Sequence, residues 1–452
     1  MKYKTPPISG ETGHALFVVL ILVFSMFIFG AGFFSMVGHE IRSSQAKLDS
    51  ERAFWLAEGG KERALRYLSE LHTPPTSDFV VFQDVIGPGN GTYTVHCLVD
   101  TSAAWSVVKA FMLDSVGRSQ GIERRVRQRV RMTSFAQYAM FTDEETNGSV
   151  ALWYISGDHV EGRLHTNGTF HFAGTPQFTG RITSSSDHMI GYPNYRVDDM
   201  SDWPVGSNAP RFAAGAELNA PMIEMPTDLP DLRHLSMFGG VFTGVETDIE
   251  LGFTGVQAAS RTPGWLRYRA HADTHGDWVS VEIATLSDGI FYSDGDVYIK
   301  GVLDGELTVA SQRDIRIIDD VTYEASNAAG APQPGCNDLL GLVAERNIVF
   351  ADNAANQNNL IVNSVLMALD TSITVENYTS GAPRGTLTIW GGLIQKYRGA
   401  VGQFRNGTII HGYQKDYHYD SRVTGRTPPS FPLTGVYEKA GWEETWDATD
   451  PF

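Results

Sequence analysis

The acidic residues of this chain have types and spacings that could support metal binding or catalysis. Asp294 and Asp296 flank one glycine, and carboxylates at that spacing could ligate Ca²⁺, but the same pattern is typical of a tight corner, which we favour. Asp319 and Asp320 are adjacent, so on a strand they would point to opposite faces. At most one of them could then enter a shared catalytic cleft.

The other reactive residue types show no catalytic or metal-binding pattern. Cys97 and Cys336 have neither CxxC nor Cys/His spacing, although one disulfide outside the cytoplasm stays open. No GxSxG, HExxH, P-loop or dinucleotide motif occurs, and the histidines are dispersed. We therefore predict a protein that is not an enzyme, with no cofactor, no metal and no catalytic residues. Those histidines are His165, His171, His188, His411 and His418.

Four arginines form the strongest local charge feature. They alternate with other residues from position 125 to 132, so a strand would present all four on one face. That face could bind acidic headgroups, polysaccharide or an acidic neighbouring subunit, or it could be an ordinary solvated strand face. The candidate interaction face consists of Arg125, Arg127, Arg129 and Arg131.

Composition limits the class of protein. The chain has 452 residues, a net charge of −17, 46 glycines and 20 prolines, which predicts more than one domain. Such acidity repels phosphate backbones, so we expect no nucleic-acid partner.

An uncharged apolar run extends from Ala15 to Val37, and it must position the part of the chain that follows it. As a helix it would span about 34 Å, enough to cross a bilayer core of roughly 30 Å. An ordinary signal peptide would have a shorter apolar region and a cleavage site; Gly30 to Gly32 could imitate one, but no site follows Val37. The basic residues before the run predict that the chain after it faces outward.

The helical pattern continues past the apolar run towards Leu71. Small and apolar residues recur three or four apart, and such a stripe could pack on a head domain. A membrane protein with an amphipathic juxtamembrane helix would show the same stripe. The stripe comprises Ala53, Leu56, Ala57, Gly60, Ala64, Leu68 and Leu71.

With Gly13 before the apolar run and Ser50–Leu65 after it, the N-terminal region resembles type IV pilin precursors, and within them the PilX-type minor pilins. The resemblance implies cleavage by a prepilin peptidase after a leader of residues 1–13, methylation at His14, and assembly with other pilin-like subunits. Major pilins carry glutamate at the mature fifth position, where this chain has Val18. That departure suits a minor subunit, with pseudopilins of type II secretion as the other group that lacks the glutamate.

We predict a mainly β protein behind a membrane and amphipathic helix at 14–72. Runs at 92–99, 105–116 and 122–133 predict a small antiparallel pilin-like sheet domain at 79–145 that covers the helix stripe. Short strands with glycine corners then predict a right-handed parallel β-helix, a solenoid, at 146–190 and 287–412. Clustered prolines mark 191–286 as an insertion between its rungs.

The region from 135 to 445 resembles an uncharacterised domain often found behind PilX-like N-termini. The resemblance rests on Gly162–Asn167, Gly341–Ile348, Gly391–Lys396 and Gly412–Arg422, and it implies no activity. We expect the aromatic and proline-rich tail at 413–452 to cap the last rung, with an adhesive surface for sugar or protein as the alternative.

Together these features predict a minor pilin-like subunit anchored in a bacterial inner membrane, with its head outside the cytoplasm for pilus assembly, adhesion or surface recognition. Its expected partners are prepilin peptidase, other pilin-like subunits and, at the head, a surface polysaccharide or protein. Two rivals stay open: a solitary membrane-anchored envelope scaffold and a surface polysaccharide lyase or hydrolase.

Overall fold

The computed structural model describes residues 12–71, 75, 77–99, 110–148, 150–203, 209–255, 261–273, 276–405 and 408–445. Most of the expected leader, residues 1–11, lies outside these described residues, as does the start of the strand expected at 105–116. The chain is mainly β, as predicted, and begins with one long helix, α1 (Thr12–Ser69).

The strands are numbered in chain order. The first are β1 (Phe79–Ile86), β2 (Thr92–Val99), β3 (Ala110–Ser119), β4 (Ile122–Ser134) and β5 (Tyr138–Glu144). Short strands follow: β6 (Thr146–Asn147), β7 (Val150–Ala151), β8 (Tyr154–Ile155), β9 (His159–Val160), β10 (Arg163–Thr166), β11 (His171–Ala173), β12 (Gln177–Phe178), β13 (Ile182–Ser184), β14 (Met189–Gly191), β15 (Tyr195–Val197), β16 (Arg211–Phe212) and β17 (Ala216–Glu217).

A short helix, α2 (Pro230–Gly239), precedes the remaining strands. These are β18 (Val241–Thr243), β19 (Thr247–Leu251), β20 (Trp265–Ala270), β21 (Val279–Glu282), β22 (Ile290–Ser293), β23 (Val297–Leu303), β24 (Glu306–Ser311), β25 (Ile315–Tyr323), β26 (Leu339–Ala344), β27 (Ile348–Phe350), β28 (Leu360–Ala368), β29 (Ile373–Val375), β30 (Pro383–Tyr397), β31 (Gly402–Arg405), β32 (Thr408–Tyr419) and β33 (Leu433–Thr445).

The chain divides into two compact units. Unit 1 comprises the described residues of 1–99, 111–130 and 439–452, and unit 2 comprises those of 100–110 and 131–438.

In unit 1, the second half of α1 packs on an antiparallel sheet. The strand order is β1-β2-β3-β4-β33, with antiparallel pairing of β1 with β2 and of β2 with β3. The predicted stripe is buried from Ala53 to Leu68, while Leu71 lies beyond the helix end and is half-buried. This confirms the small antiparallel sheet on the helix.

Glycine and serine on β3 allow the helix to approach closely. A Cβ on Gly117 would lie 2.0 Å from the carbonyl oxygen of Ala53, so a side chain there is incompatible with this distance. Two positions earlier, the Ser115 hydroxyl donates a 2.7 Å hydrogen bond to the carbonyl oxygen of Ala57. The small residues of the stripe thus bring two backbones into contact.

Unit 2 contains a large mixed sheet in which many strands stack in parallel register. One column of paired residues runs through β18, β22, β24, β26, β28, β30, β5, β10 and β13, and all its members are buried in one hydrophobic cluster. Its members are Val241, Phe291, Val309, Leu342, Leu366, Leu393, Met140, Leu164 and Ile182. Each strand is too short to bury a hydrophobic core by itself, so the core forms where the strands stack on one another.

The stack does not follow the order of the chain. Strand β5 pairs with β30 on one side and with β10 on the other, so residues 138–184 stack beyond the strand at 383–397. The expected insertion at 191–286 contributes β17 next to β13, and β18 and β19 next to β22 and β23. The ladders support parallel stacking, whereas the right-handed solenoid stays a prediction.

The capping role expected of the C-terminal tail stays a prediction. Tyr413, the first residue of the expected tail, is fully buried, and Phe431 is buried as well, so neither contributes to an aromatic surface. Strand β33 joins the sheet next to β4. The end of the tail, at 439–445, therefore belongs to unit 1, and the pairing of β33 with β4 is a non-local one that no local pattern reveals.

Candidate functional site

The apolar half of α1 is the most exposed hydrophobic surface in the described chain. By length and composition alone, Ala15–Ser69 could cross a membrane, and none of its most apolar window is buried. Ala15 and Val18 are exposed, and Val37 is half-buried. Gly13 and His14 lie in the helical backbone, but their side chains are outside the described residues. An exposed apolar surface of this length requires a lipid or protein environment.

The four-arginine strand is β4, and acids match much of its charge. Arg125 binds both carboxylate oxygens of Asp114 with two 2.7 Å hydrogen bonds, a bidentate geometry that fixes the guanidinium. Arg127 is buried, 3.6 Å from Asp114 and 3.8 Å from Glu443. The acids that hold these two side chains come from β3 and β33.

The other two arginines differ in exposure. Arg131 is half-buried and Arg129 is exposed. Arg131 pairs with Glu438 at 3.2 Å. The predicted interaction face is therefore largely occupied by intramolecular ion pairs, and its role as a ligand surface stays a prediction.

The acids proposed for Ca²⁺ or catalysis also have partners within the chain. Both oxygens of Asp294 accept hydrogen bonds from Arg233, at 2.9 and 3.0 Å, and Asp296 pairs with Arg313 at 3.2 Å. Among the described residues, no cluster of three or more His, Cys, Asp or Glu side chains could hold a metal ion. The glycine corner thus uses its acids to bind arginines.

Asp319 and Asp320 bind backbone amides on their own strand and a neighbouring one. Asp319 Oδ1 accepts from the amide of Asp320 at 2.9 Å, and Asp320 Oδ1 accepts from the amide of Ile361 at 2.8 Å. Burial is the main cause that raises the pKa of Asp320. The pair sits on β25 without converging on one substrate position.

The segment Gly162–Asn167 has a structural role. The carboxamide of Asn167 donates to Asp143 Oδ1 and to the carbonyl of Ile223, both at 2.8 Å, and accepts from the amide of Ile223 at 3.0 Å. Buried His165 lies 2.7 Å from the hydroxyl of Thr183 and 3.0 Å from Asn167. Asn167 therefore ties a distant loop to the ladder. Burial lowers the pKa of His165.

Cys97 and Cys336 are free and buried. Burial raises the pKa of Cys97 to about 12, so its thiol is inert at neutral pH. The disulfide left open by the sequence is not formed.

Unit 2 contains a cavity of about 260 Å³ that the sequence did not indicate. Its wall includes Lys415 and Tyr417 of β32, whose register partners on β30 are the buried residues Leu387 and Ile389. Register neighbours in parallel strands share a face, so Lys415 lies on the face that carries Leu387, and it is exposed at the cavity wall.

A buried ion pair borders this cavity. Arg398 Nη1 lies 3.2 Å from Glu145 Oε2, both side chains are almost completely buried, and the guanidinium lies 3.8 Å from the ring centroid of Tyr154. Thr142 donates a 2.5 Å hydrogen bond to the other oxygen of Glu145. Arg398 is therefore neutralised, whereas Lys415 has no carboxylate within 4.0 Å among the described residues.

The acids that line the cavity are engaged as well. Asp158 Oδ2 accepts from the amide of Ile155 at 2.8 Å, and Glu161 lies 3.4 Å from His159. Asp416 accepts from Thr388 at 3.0 Å and lies 2.9 Å from His418, which stacks on Trp390. The charges of Asp158 and Glu145 favour the charged form of Lys415.

These features define the class: a mainly β protein with a long, half-exposed N-terminal helix, an antiparallel sheet docked on that helix, and a stacked-strand unit that contains a cavity. A domain family described as Domain of unknown function (DUF4900) matches residues 103–186, which include the Gly162–Asn167 segment. No curated protein matches the chain.

Among solved structures, the chain is similar to the competence-associated pilin ComZ from Thermus thermophilus. The identity is 14%, the TM-score is 0.31, and the alignment covers 88% of this chain and 97% of that chain. A TM-score this low does not establish a common fold.

Proposed function

We propose that this chain is a minor pilin-like subunit of a type IV pilus or related filament. The N-terminal helix anchors it in the bacterial inner membrane, and the head outside the cytoplasm serves assembly, adhesion or surface recognition. Its partners are a prepilin peptidase and other pilin-like subunits, and the head has a surface polysaccharide or protein as its ligand.

One observation carries this proposal: α1 is continuous, with an exposed apolar half and a second half docked on a sheet. A retained N-terminal anchor is expected to continue into the folded part of the protein, as α1 does. Here Ala53, Ala57 and Ala64 of the same helix are fully buried. This continuity supports retention of the apolar half, and such a half can move from lipid to the core of a filament.

The proposal includes processing after Gly13, which leaves a methylated amine on His14. Val18 then occupies the place of the intermolecular glutamate of major pilins. A subunit with an apolar side chain there needs no partner amine ahead of it, which suits a minor position.

The mature N-terminus provides the test. Mass spectrometry of the chain purified from bacteria that carry a prepilin peptidase should show a start at methylated His14. Gly13→Val should leave the leader attached, whereas Gly10→Val, a matched change within the leader, should be processed normally. A wild-type chain that still begins at Met1 favours the solitary envelope scaffold, and a cut near Gly30 favours an ordinary signal peptide; either result contradicts the proposal.

We further propose that the head acts by display, without turnover. The partners of Asp294 and Asp319 support this, since acids held by arginines or backbone amides are poorly placed to exchange protons with a substrate. Assays for lyase and hydrolase activity on acidic and neutral polysaccharides should show none. Activity that falls in Asp294→Ala or Asp319→Ala would instead establish the enzyme alternative.

A further inference from the structure

We propose that an exposed aromatic patch on unit 2 binds a neutral sugar unit of a surface polysaccharide. The patch lies on the outer face of the parallel strands β8, β11 and β14. This rests on the surface-recognition role proposed above and names its ligand class, but it depends on unit 2 alone and not on how the N-terminus is processed. We call the following residues the outer patch: Trp153, Ile155, His171, Ala173, Ile190 and Tyr192.

Alternation along the three strands separates an inner face from an outer one. Tyr154, Phe172 and Met189 are each 1% exposed and belong to the hydrophobic core of unit 2. Because successive side chains of a strand point to opposite faces, the residues next to them in sequence point outward. On that side Ile155 and Tyr192 are exposed, and the other four members of the outer patch are partly exposed. An apolar outer face of this kind is typical of a binding surface.

The aromatic rings of the outer patch meet at a steep angle. The ring centroids of Trp153 and Tyr192 are 5.6 Å apart, with 78° between the ring planes. His171 meets Trp153 in the same manner, at 5.2 Å and 71°. Ala173, in the middle strand, has the small side chain that lets rings from the ends of β8 and β14 meet. The rings therefore form a corner, which suits the apolar C–H face of a single sugar ring better than a broad, flat polymer surface.

Charge favours a neutral ligand. Burial lowers the pKa of His171, so the outer patch is uncharged at pH 7. At its rim Arg196, the register partner of Ile190, binds Asp187 at 2.8 Å and Asp198 at 2.5 Å. These groups can still exchange hydrogen bonds with sugar hydroxyls. A charged ligand would compete with the ion pairs that they already form.

Size distinguishes a sugar from a protein as the occupant. The outer patch has six residues, whereas a stable protein interface uses about 20–30 residues on each side. An apolar surface this small matches the face of a sugar ring, whose edges carry hydroxyl groups that the polar rim can bind. A neutral sugar unit therefore fits both the area and the rim.

The test uses the full chain in micelles of dodecylphosphocholine, a detergent without a sugar headgroup. Calorimetric titrations with cellotriose, maltotriose and N-acetylated chitotriose should show that at least one of them binds with a Kd of about 1 mM or tighter. Trigalacturonate, which adds negative charge, and sorbitol, which has hydroxyls but no ring, should bind about tenfold more weakly or not at all. No saturation by any neutral trisaccharide up to about 10 mM, or binding of either control as tight as theirs, would overturn the proposal.

Variants at the outer patch separate recognition from folding, which circular dichroism checks. Tyr192→Ala should weaken sugar binding about tenfold or more, whereas Tyr192→Trp, which keeps an aromatic ring, should retain it. Phe238→Ala is the matched control, since Phe238 is 79% exposed on α2 of the same unit. Unchanged binding in a folded Tyr192→Ala, or an equal loss in Phe238→Ala, would contradict the proposal.

The oligomeric state tests the competing occupant, a second copy of the chain. Sedimentation in the same micelles should give the same state for the wild type and Tyr192→Ala. A wild type that dimerises, with a Tyr192→Ala variant that does not, would assign the outer patch to subunit contact and overturn the sugar site. Neither result affects the mature N-terminus, so the two proposals fail separately.

Discussion

The indole Nε1 of Trp442 donates a 2.7 Å hydrogen bond to Glu58 Oε1, although the two residues are 384 positions apart. Lys439, on the same strand, binds Glu62 at 2.7 Å. The acidic side of α1 is thus covered by β33, while its small-residue side packs on β3. The last described strand and the N-terminal helix therefore belong to one folding unit.

Trp442→Phe should destabilise unit 1 by about 1 kcal/mol, because it removes one hydrogen bond to a charged acceptor and keeps most of the ring contact with Phe54. Chemical unfolding of the full chain in micelles, followed by circular dichroism, would measure this. Trp55→Phe is the matched control, since Trp55 is 69% exposed on the same helix. Equal losses in both variants would mean that the Trp442–Glu58 contact contributes nothing specific.

Gly117→Ala should destabilise unit 1 by about 1–3 kcal/mol, because its Cβ would overlap the backbone of α1 at Ala53 and force the helix from the sheet. Gly59→Ala, on the helix with nothing within 4 Å of a new Cβ, should be neutral or stabilising by up to about 1 kcal/mol. Thermal unfolding of both variants is the measurement. A Gly117→Ala protein as stable as the wild type would refute the close packing of helix and strand.

Unit 2 should lose stability in mild acid through His165. Burial holds its pKa below the ordinary value of 6.5, so below about pH 6.5 the unfolded chain binds a proton that the folded chain resists. The free energy of unfolding should therefore fall as the pH drops from 7.5 to 5. His165→Gln should flatten that slope, while His39→Gln, on α1, should not. A slope unaffected by His165→Gln would assign the acid sensitivity elsewhere.

The sequence predicted what depends on local periodicity. The stripe from Ala53 to Leu68 and the strand at Thr92–Val99 follow from spacing alone, and both match the structure. The pairing of β33 with β4 and the insertion of β5 beside β30 join residues hundreds of positions apart. Such contacts depend on which apolar edges meet after collapse, and a single sequence does not record that.

The candidate site, too, has features that local sequence predicts and features that it does not. Alternation along β32 predicts that Lys415, Tyr417 and Tyr419 share a face, but it does not say which face is internal. The residue type predicts that Lys415 is solvent-exposed, and it is; its register with buried Leu387 adds that it lies at the cavity wall. The stacking with β30 was therefore the missing signal for the cavity.

The buried ion pair between Arg398 and Glu145, which borders the cavity, can be tested by substitution. Arg398→Met should destabilise unit 2 by about 3–5 kcal/mol, because it leaves the Glu145 carboxylate, 1% exposed, without its counter-charge. Replacing both residues, Arg398→Met with Glu145→Leu, should recover much of that loss, since neither charge then remains to be desolvated. Urea unfolding of the two single variants and the double variant measures the coupling. Additive losses would mean that the two side chains act independently. Glu145 would then not neutralise Arg398.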